Sequence, residues 1–158
     1  MDPSPFFALQ FLWFLCAWAV VAVLFVAPRL RHAAFEDALA VWIAPQLFRV
    51  LGVGLLVPNL APGMPRSFAL PTALGDSATA VLALLAVIAL HNRWTIARAL
   101  SWTCNLVGAA DLLAALPHAA AVHASGFLAA QWYVPVLGVP LMIVSHCMAF
   151  RLLWRERR

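Results

Sequence analysis

Residues 6–27 read FFALQFLWFLCAWAVVAVLFVA, a continuous apolar run that contains no charged side chain. A helix that crosses the hydrocarbon core of a bilayer needs about 20 predominantly apolar residues. This run therefore predicts a transmembrane helix. It is longer than the apolar part of a signal peptide, and its basic flank, Arg29 and Arg31, follows the run instead of preceding it. We therefore expect a retained helix.

The whole chain shares this apolar character. Of its 158 residues, 65% are hydrophobic and 10% are charged, and its mean hydropathy is +0.94. Soluble proteins average about 45–50% apolar and about 25% charged residues. The length allows about four to six membrane-spanning helices with short connections. We predict an all-α membrane helix bundle in which residues 1–158 form a single integral membrane domain.

Four further apolar runs follow the first one. The predicted transmembrane helices lie at approximately residues 6–27, 38–57, 72–90, 95–116 and 127–153. Basic residues near helix ends favour the cytoplasm, and this rule orients the bundle with its N-terminus outside and its C-terminus in the cytoplasm. The outer side then holds Arg66, and the inner side holds Arg29, Arg31, Arg93, Arg98, Arg151, Arg155, Arg157 and Arg158. We expect a multi-pass protein of a bacterial inner membrane.

Several function classes are disfavoured by composition. The pI of 9.8 does not indicate nucleic-acid binding, because the arginines lie at the ends of apolar runs instead of in one patch. The chain has no lysine for a Schiff base, its three cysteines show no paired spacing, and hydrolase and nucleotide-binding motifs are missing. We expect no cofactor, no metal and no nucleic acid. The expected partners are the lipid bilayer and either further copies of the chain or another membrane protein.

Small and polar residues share one face in the third, fourth and fifth predicted helices, at 100° per residue. These faces comprise Thr72, Gly75, Asp76, Thr79, Ala83 and Ala86; Ser101, Cys104, Asn105, Gly108, Asp111 and Ala115; and Gln131, Pro135, Gly138, Met142, Ser145, His146 and Ala149. Such faces let membrane helices approach closely. The third, fourth and fifth helices are therefore predicted to form the tight core, and the first helix to face lipid or another subunit.

Three ionisable residues interrupt the apolar runs: Arg49, Asp76 and Asp111. Counted from the prolines that flank their helices, they lie about 8–14 Å below the outer helix ends. A charge at the bilayer centre costs about 2.5–3.5 kcal/mol, so such groups face the bundle interior and find partners. The guanidinium of Arg49 has the donors to bridge both carboxylates. Because the ionised trio carries one net negative charge, we expect one acid to hold a proton near neutral pH.

A second, weaker polar layer is predicted nearer the cytoplasm. It combines Asn105 and His146 with Ser101 and Ser145, and Gln46 lies close to the midplane. A structural, hydrogen-bonded His146 is favoured over a metal or haem ligand, because a second facing histidine is missing. The candidate site residues are thus Arg49, Asp76, Asp111, Asn105, His146 and Gln46.

A stiff, apolar loop joins the second and third predicted helices. It reads VPNLAPGMPRSFALP at residues 57–71, and its prolines restrict the backbone. We expect it to lie on the outer membrane surface or to fold over the mouth of the bundle. A plain connection in the headgroup region is favoured over a functional lid.

Three functions remain open. The preferred one is a small membrane protein that binds or transports a small ion or a polar, lipid-like molecule at Arg49, Asp76 and Asp111, near the outer face. One aspartate acting as general acid or base beside Arg49 would instead make a membrane-embedded enzyme with a lipid-like substrate. An ion pair with a purely structural role would fit an accessory or scaffold subunit of a membrane complex.

Overall fold

The computed structural model describes residues 3–155. Within this range, five helices are long and apolar enough to cross a membrane: α1 Ser4–Leu30, α2 Phe35–Leu56, α3 Arg66–His91, α4 Ala97–Ala121 and α5 Ala129–Arg155. A short 3₁₀ turn, Ala124–Phe127, connects α4 to α5. The described residues contain no β-strand. The predicted all-α class and the five candidate transmembrane helices are therefore confirmed.

Two helices continue through prolines at which the prediction ended them. α3 begins at Arg66 and contains Pro71, and α4 ends at Ala121 and contains Pro117. Each proline has no backbone N–H and therefore leaves one carbonyl of the preceding turn without its donor. Both prolines lie within about two turns of a helix end, where neighbouring groups can donate to that carbonyl. The connection between α2 and α3 is correspondingly shorter than the predicted loop.

The tight core differs from the predicted one. α2 packs most extensively against α3, and α3 packs next most extensively against α4. The predicted tight core of the third, fourth and fifth helices therefore omits α2, which makes the most extensive contact. Most of this packing against α3 is made by the part of α2 from Ala44 to Leu56, whose backbone geometry is unusual.

α2 changes from α-helix to 3₁₀-helix part-way along its length. Phe35–Ile43 is α-helical, and Ala44–Leu56 is a 3₁₀ helix of 13 residues. A 3₁₀ helix has 3.0 residues per turn, so residues three apart lie directly above one another. Gln46, Arg49 and Gly52 consequently form one row, and all three are buried. At 100° per residue the same positions spread over a wider arc, which hides this face in the sequence.

α1 lies at the edge of the bundle. It has no buried residue within Ser4–Val21 and exposes large apolar side chains, as expected for a helix that faces lipid or another subunit. It packs chiefly against α5. The indole Nε1 of Trp18 donates to the carbonyl of Leu137 at 3.2 Å, and that of Trp132 donates to Gln10 Oε1 at 2.8 Å. These bonds join α1 to α5 at two levels.

Two apolar clusters fill the opposite ends of the bundle. The far-end core, at the end of Leu30 and Arg155, comprises Ala22, Leu39, Trp42, Ile43, Ala83, Ala86, Ala89, Leu90, Ala97, Cys104, Ala149 and Leu153. The site-end core, at the end of Ser4 and Ala121, comprises Ala61, Met64, Phe68, Ala69, Ala124 and Leu128. Because Ala61 and Met64 belong to it, the proline-rich loop packs against this end of the bundle.

Candidate functional site

Arg49 joins three helices through its guanidinium. Its Nε donates to Asp76 Oδ1 at 2.8 Å, its Nη2 donates to Asp111 Oδ2, and its Nη1 donates to the carbonyl of Gly108 at 2.9 Å. The arginine side chain is 2% exposed, and the two aspartate side chains are 15% and 17% exposed. The contact that the sequence predicts between Arg49 and both carboxylates is present. We call Arg49, Asp76 and Asp111 the charge cluster.

The charge cluster lies deeper than the sequence indicated. Asp76 is ten residues from Arg66 and Asp111 is ten residues from Ala121, which places both about 15 Å from their helix ends. Arg49 is seven residues from Leu56 along the 3₁₀ segment, which is about 14 Å at the larger 3₁₀ rise. The predicted depths of the two aspartates are too small because the predicted helices ended at prolines. The backbone positions of the three residues therefore lie at about the same distance from the site end of the bundle.

Each carboxylate rests against a glycine of the preceding helix. The Asp76 carboxylate occupies the space that a Cβ on Gly52 would fill, and the Asp111 carboxylate does the same at Gly75. Because these glycines lack a Cβ, the acids can reach between closely spaced backbones. Sequence reasoning placed Gly75 on a packing face and missed Gly52. A glycine facing an acid at equal depth on the next helix is the pattern that could have identified both.

A second polar layer lies beside the charge cluster. His146 Nδ1 donates to Asn105 Oδ1 at 2.6 Å, and Gln46 Nε2 donates to Ser145 Oγ at 2.6 Å. The imidazole packs against Gly108, whose carbonyl accepts from Arg49. Asn105, His146 and Gln46 are thus buried beside the site, as a hydrogen-bonded structural layer requires.

Ser101 does not join this layer. Its hydroxyl donates to the carbonyl of Ala97, one turn earlier in its own helix, at 2.8 Å. Such a back-bond satisfies a serine inside an apolar helix without a partner on another helix. The structure therefore brings Asn105, His146, Ser145 and Gln46 into contacts with other helices and leaves Ser101 bonded within α4.

Four buried side-chain nitrogen or oxygen atoms in residues 3–155 have no hydrogen-bond partner: Gln46 Oε1, Asn105 Nδ2, Gln131 Oε1 and His146 Nε2. Three of them belong to the second polar layer. Buried polar groups of this kind commonly bind internal water. The layer thus retains unused donors and acceptors directly beneath the charge cluster. Among the same described residues, no group of three His, Cys, Asp or Glu side chains is placed to hold a metal ion.

A cavity of about 370 Å³ adjoins the charge cluster. Arg49, Asp76 and Asp111 line one end of it, and apolar side chains of α1, α3 and α4, such as Phe11 and Leu116, line its walls. It extends toward the site end, where Ser4, His123 and Ser125 also line it. Ligand pockets range over about 300–1,000 Å³, so this space is large enough for a small molecule. We call it the cluster cavity.

One family model matches almost the whole chain. The model described as "Domain of unknown function (DUF8737)" matches residues 6–154. The chain belongs to this family. The DUF8737 match runs from the first turn of α1 to the last turn of α5, so it includes the charge cluster and the second polar layer. No curated protein and no solved structure gives a significant match.

The second polar layer of this DUF8737 protein yields a stability prediction. Asn105→Leu removes the acceptor of His146 Nδ1 and leaves a buried ring nitrogen unpaired. We expect the free energy of unfolding to fall by about 1–3 kcal/mol. The measurement is the unfolding transition of the purified protein in mild detergent.

Two further variants control this measurement. Asn92→Leu alters an exposed asparagine just beyond the end of α3, whose side chain donates to the carbonyl of Ile88, and it should change the free energy of unfolding little. Asn105→Leu combined with His146→Leu removes both polar partners and should recover much of the loss, since an apolar pair is nearly neutral. A single Asn105→Leu variant as stable as wild type would contradict the proposed structural role of this bond.

Proposed function

We propose that this DUF8737 member is a multi-pass protein of a bacterial inner membrane that binds a small ion or a polar, lipid-like molecule at Arg49, Asp76 and Asp111. The observation that carries the proposal is the cluster cavity. An ion pair that only holds helices together would be enclosed by packed side chains. Here both carboxylates and the guanidinium border a cavity of about 370 Å³, which supports a binding role.

The charge of the cluster favours a ligand that brings a positive charge. When both carboxylates are ionised beside one guanidinium, one net negative charge is left in a poorly hydrated place, and a bound cation can neutralise it in place of the proton expected on one acid. Each aspartate directs one oxygen to Arg49 and the other toward a glycine, Gly52 or Gly75, and both carboxylates line the cluster cavity, where a cation can approach them. The apolar walls favour a ligand with an apolar body. A protonated amine with a hydrocarbon tail meets both requirements.

The far-end core supports binding from one side instead of conduction through an open channel. Its buried residues, including Ile43 and Leu90, have almost no exposed surface and fill the bundle beyond the second polar layer. Transport would therefore require a second conformation in which this core separates. Binding is the activity that we propose for the conformation described above.

The arginines support an orientation in which the cluster cavity is reached from outside. Arg66 begins α3 at the site end. The arginines at the other end within residues 3–155 are Arg29, Arg31, Arg93, Arg98, Arg151 and Arg155. Arg157 and Arg158, which belong to the same prediction, lie outside the described residues. Basic residues favour the cytoplasmic side, which is consistent with a periplasmic site end.

The proposal is tested with two probes that match in length and differ in charge, hexylamine and hexanoate. Purified protein in nanodiscs at neutral pH is titrated with each probe, and binding is read as the rise in its thermal unfolding midpoint. We expect hexylamine to stabilise the wild type and hexanoate to have little effect. Asp111→Asn removes the net negative charge and should weaken the hexylamine response by about tenfold.

Asp37→Asn is the matched control, because Asp37 also pairs with an arginine, Arg93, but is exposed. This variant should respond to hexylamine as the wild type does. If hexylamine and hexanoate act equally, or if Asp111→Asn responds like wild type, the carboxylates do not form a cation-binding site and the proposal fails.

A further inference from the structure

A second cavity reaches the charge cluster from another direction. It also measures about 370 Å³ and lies between α2 and α5, with α1 at its edge. We call it the lateral cavity; its lining includes Trp18, Phe48, Leu51, Leu137, Gly138 and Leu141. Apart from Arg49 and Asp76, its lining is almost entirely apolar.

The two cavities meet at the charge cluster. Arg49, Gly52 and Asp76 line both of them, whereas Asp111 lines only the cluster cavity. Asp76 therefore stands at the junction between a space that extends to the site end and a space that extends sideways. A ligand group bound at Asp76 can have its remaining atoms in either space.

The lateral cavity opens at a depth where the surroundings are acyl chains. Phe48 and Leu51 flank Arg49, about 14 Å from the end of α2. These two residues are 62% and 54% exposed, and Leu137 across the gap is 39% exposed. In a membrane-spanning bundle, exposed apolar side chains at this depth face hydrocarbon. The opening therefore leads to the bilayer interior.

The rim of this opening is held by a defined contact. Trp18 of α1 donates from Nε1 to the carbonyl of Leu137 at 3.2 Å. Leu137 lies in the π-helical turn Val134–Gly138 of α5, and π-helical turns frequently occur at functional sites. The bond keeps α1 against α5 at one edge of the gap and leaves the side between α2 and α5 open.

We propose that the ligand of this protein is a single-chain cationic amphiphile that enters from the bilayer between α2 and α5. Its positive head binds at Asp76, next to Arg49 and Asp111, and its alkyl chain lies in the lateral cavity. The negative charge of the cluster selects the head. The apolar lining and a volume near the lower end of the ligand-pocket range select one chain instead of two. This inference rests on the proposed cation-binding function and adds the route and the ligand class.

Gly138 offers a way to close the lateral cavity without disturbing the charge cluster. Gly138 lines this cavity, and a Cβ added there meets no atom within 4 Å. Gly138→Leu should therefore fold while filling the space that the alkyl chain needs. Gly126→Leu is the matched control, because Gly126 also has open space around it and lies in the turn between α4 and α5.

The experiment compares a long-chain amine with a short one in nanodiscs. Hexadecylamine dissolves in the bilayer, whereas propylamine reaches the site from water. Gly138→Leu is expected to weaken binding of hexadecylamine by about tenfold or more and to change binding of propylamine by less than about twofold. Gly126→Leu should leave both affinities as in wild type.

Two outcomes overturn the inference in distinguishable ways. If Asp111→Asn weakens hexadecylamine binding but Gly138→Leu does not, the cation site stands and the lateral route is wrong. If neither amine binds to the wild type, the proposed function fails and this inference fails with it.

A photoreactive hexadecylamine with a diazirine in mid-chain gives an independent measurement. We expect it to label Leu51, Leu137 or Leu141, as identified by mass spectrometry of the labelled peptides. Labelling confined to walls of the cluster cavity, such as Phe11 or Leu116, would place the chain in that cavity and overturn the lateral route.

Discussion

Arg49→Met is expected to lower the free energy of unfolding by about 3–5 kcal/mol, as is usual when one partner of a buried ion pair is removed. The substitution leaves two carboxylates and the carbonyl of Gly108 without their charged donor, in a largely buried site where water replaces a guanidinium poorly. The measurement is the unfolding free energy of the purified protein in mixed micelles of mild detergent and dodecyl sulfate.

Arg93→Met is the matched control for this prediction. Arg93 also bridges two acids, Glu36 and Asp37, but all three side chains are exposed. Exposed pairs contribute about 0–1 kcal/mol, so this variant should remain close to wild type. Equal losses for Arg49→Met and Arg93→Met would show that the depth of the charge cluster does not govern its energetic role.

A triple variant separates the structural cost from the binding function. Arg49→Met combined with Asp76→Asn and Asp111→Asn removes all three charges together. Because no uncompensated charge remains, most of the lost stability should return. The same variant should not respond to hexylamine. A triple variant as unstable as Arg49→Met would indicate that the arginine acts through packing and not through its charge.

Gly52→Ala is expected to lower the free energy of unfolding by about 1–3 kcal/mol, the usual cost of overpacking. The added Cβ needs the space of the Asp76 carboxylate, so the acid must move away from Arg49. An alanine in a helix is otherwise favoured over glycine by about 1 kcal/mol, so the expected sign is opposite to that of helix propensity. Gly75→Ala should act in the same way through Asp111.

The control variants are Gly126→Ala and Gly138→Ala, where a Cβ meets no atom within 4 Å. Neither should lower the unfolding free energy by more than about 0.5 kcal/mol, and Gly138→Ala, which lies within α5, should raise it by up to about 1 kcal/mol through helix propensity. Gly52→Ala should in addition weaken the stabilisation by hexylamine, because the carboxylate that accepts the amine is displaced. If Gly52→Ala and Gly138→Ala unfold alike, the carboxylate does not depend on the glycine at that position.

The helices and the charge cluster could be predicted because the bilayer leaves few alternatives. A long uncharged apolar run forms a transmembrane helix, and ionised groups inside the bilayer must pair with one another. The contact of Arg49 with Asp76 and Asp111 follows from this cost alone. The choice of lateral partners for each helix does not, because lipid provides no hydrophobic drive for one pairing over another.

The parts that could not be predicted depend on backbone geometry. The row of Gln46, Arg49 and Gly52 exists only because α2 is a 3₁₀ helix there, and apolar periodicity at 100° per residue cannot reveal it. The ends of α3 and α4 were misplaced because prolines usually end helices in water, whereas Pro71 and Pro117 are accommodated here. Ser101 was misassigned because a serine can satisfy itself within its own helix.

The 3₁₀ segment also sets how far α2 reaches. α2 has 22 residues, whereas α3 has 26 and α4 has 25. As a uniform α-helix it would measure about 33 Å, against about 39 Å for α3. The 13 residues at the larger 3₁₀ rise increase its length to about 39 Å, so the shortest span is as long as α3. If this segment were a regular α-helix, the proline-rich loop would lie about 6 Å closer to the centre of the bundle. The guanidinium of Arg49 would then point away from Asp76 and Asp111.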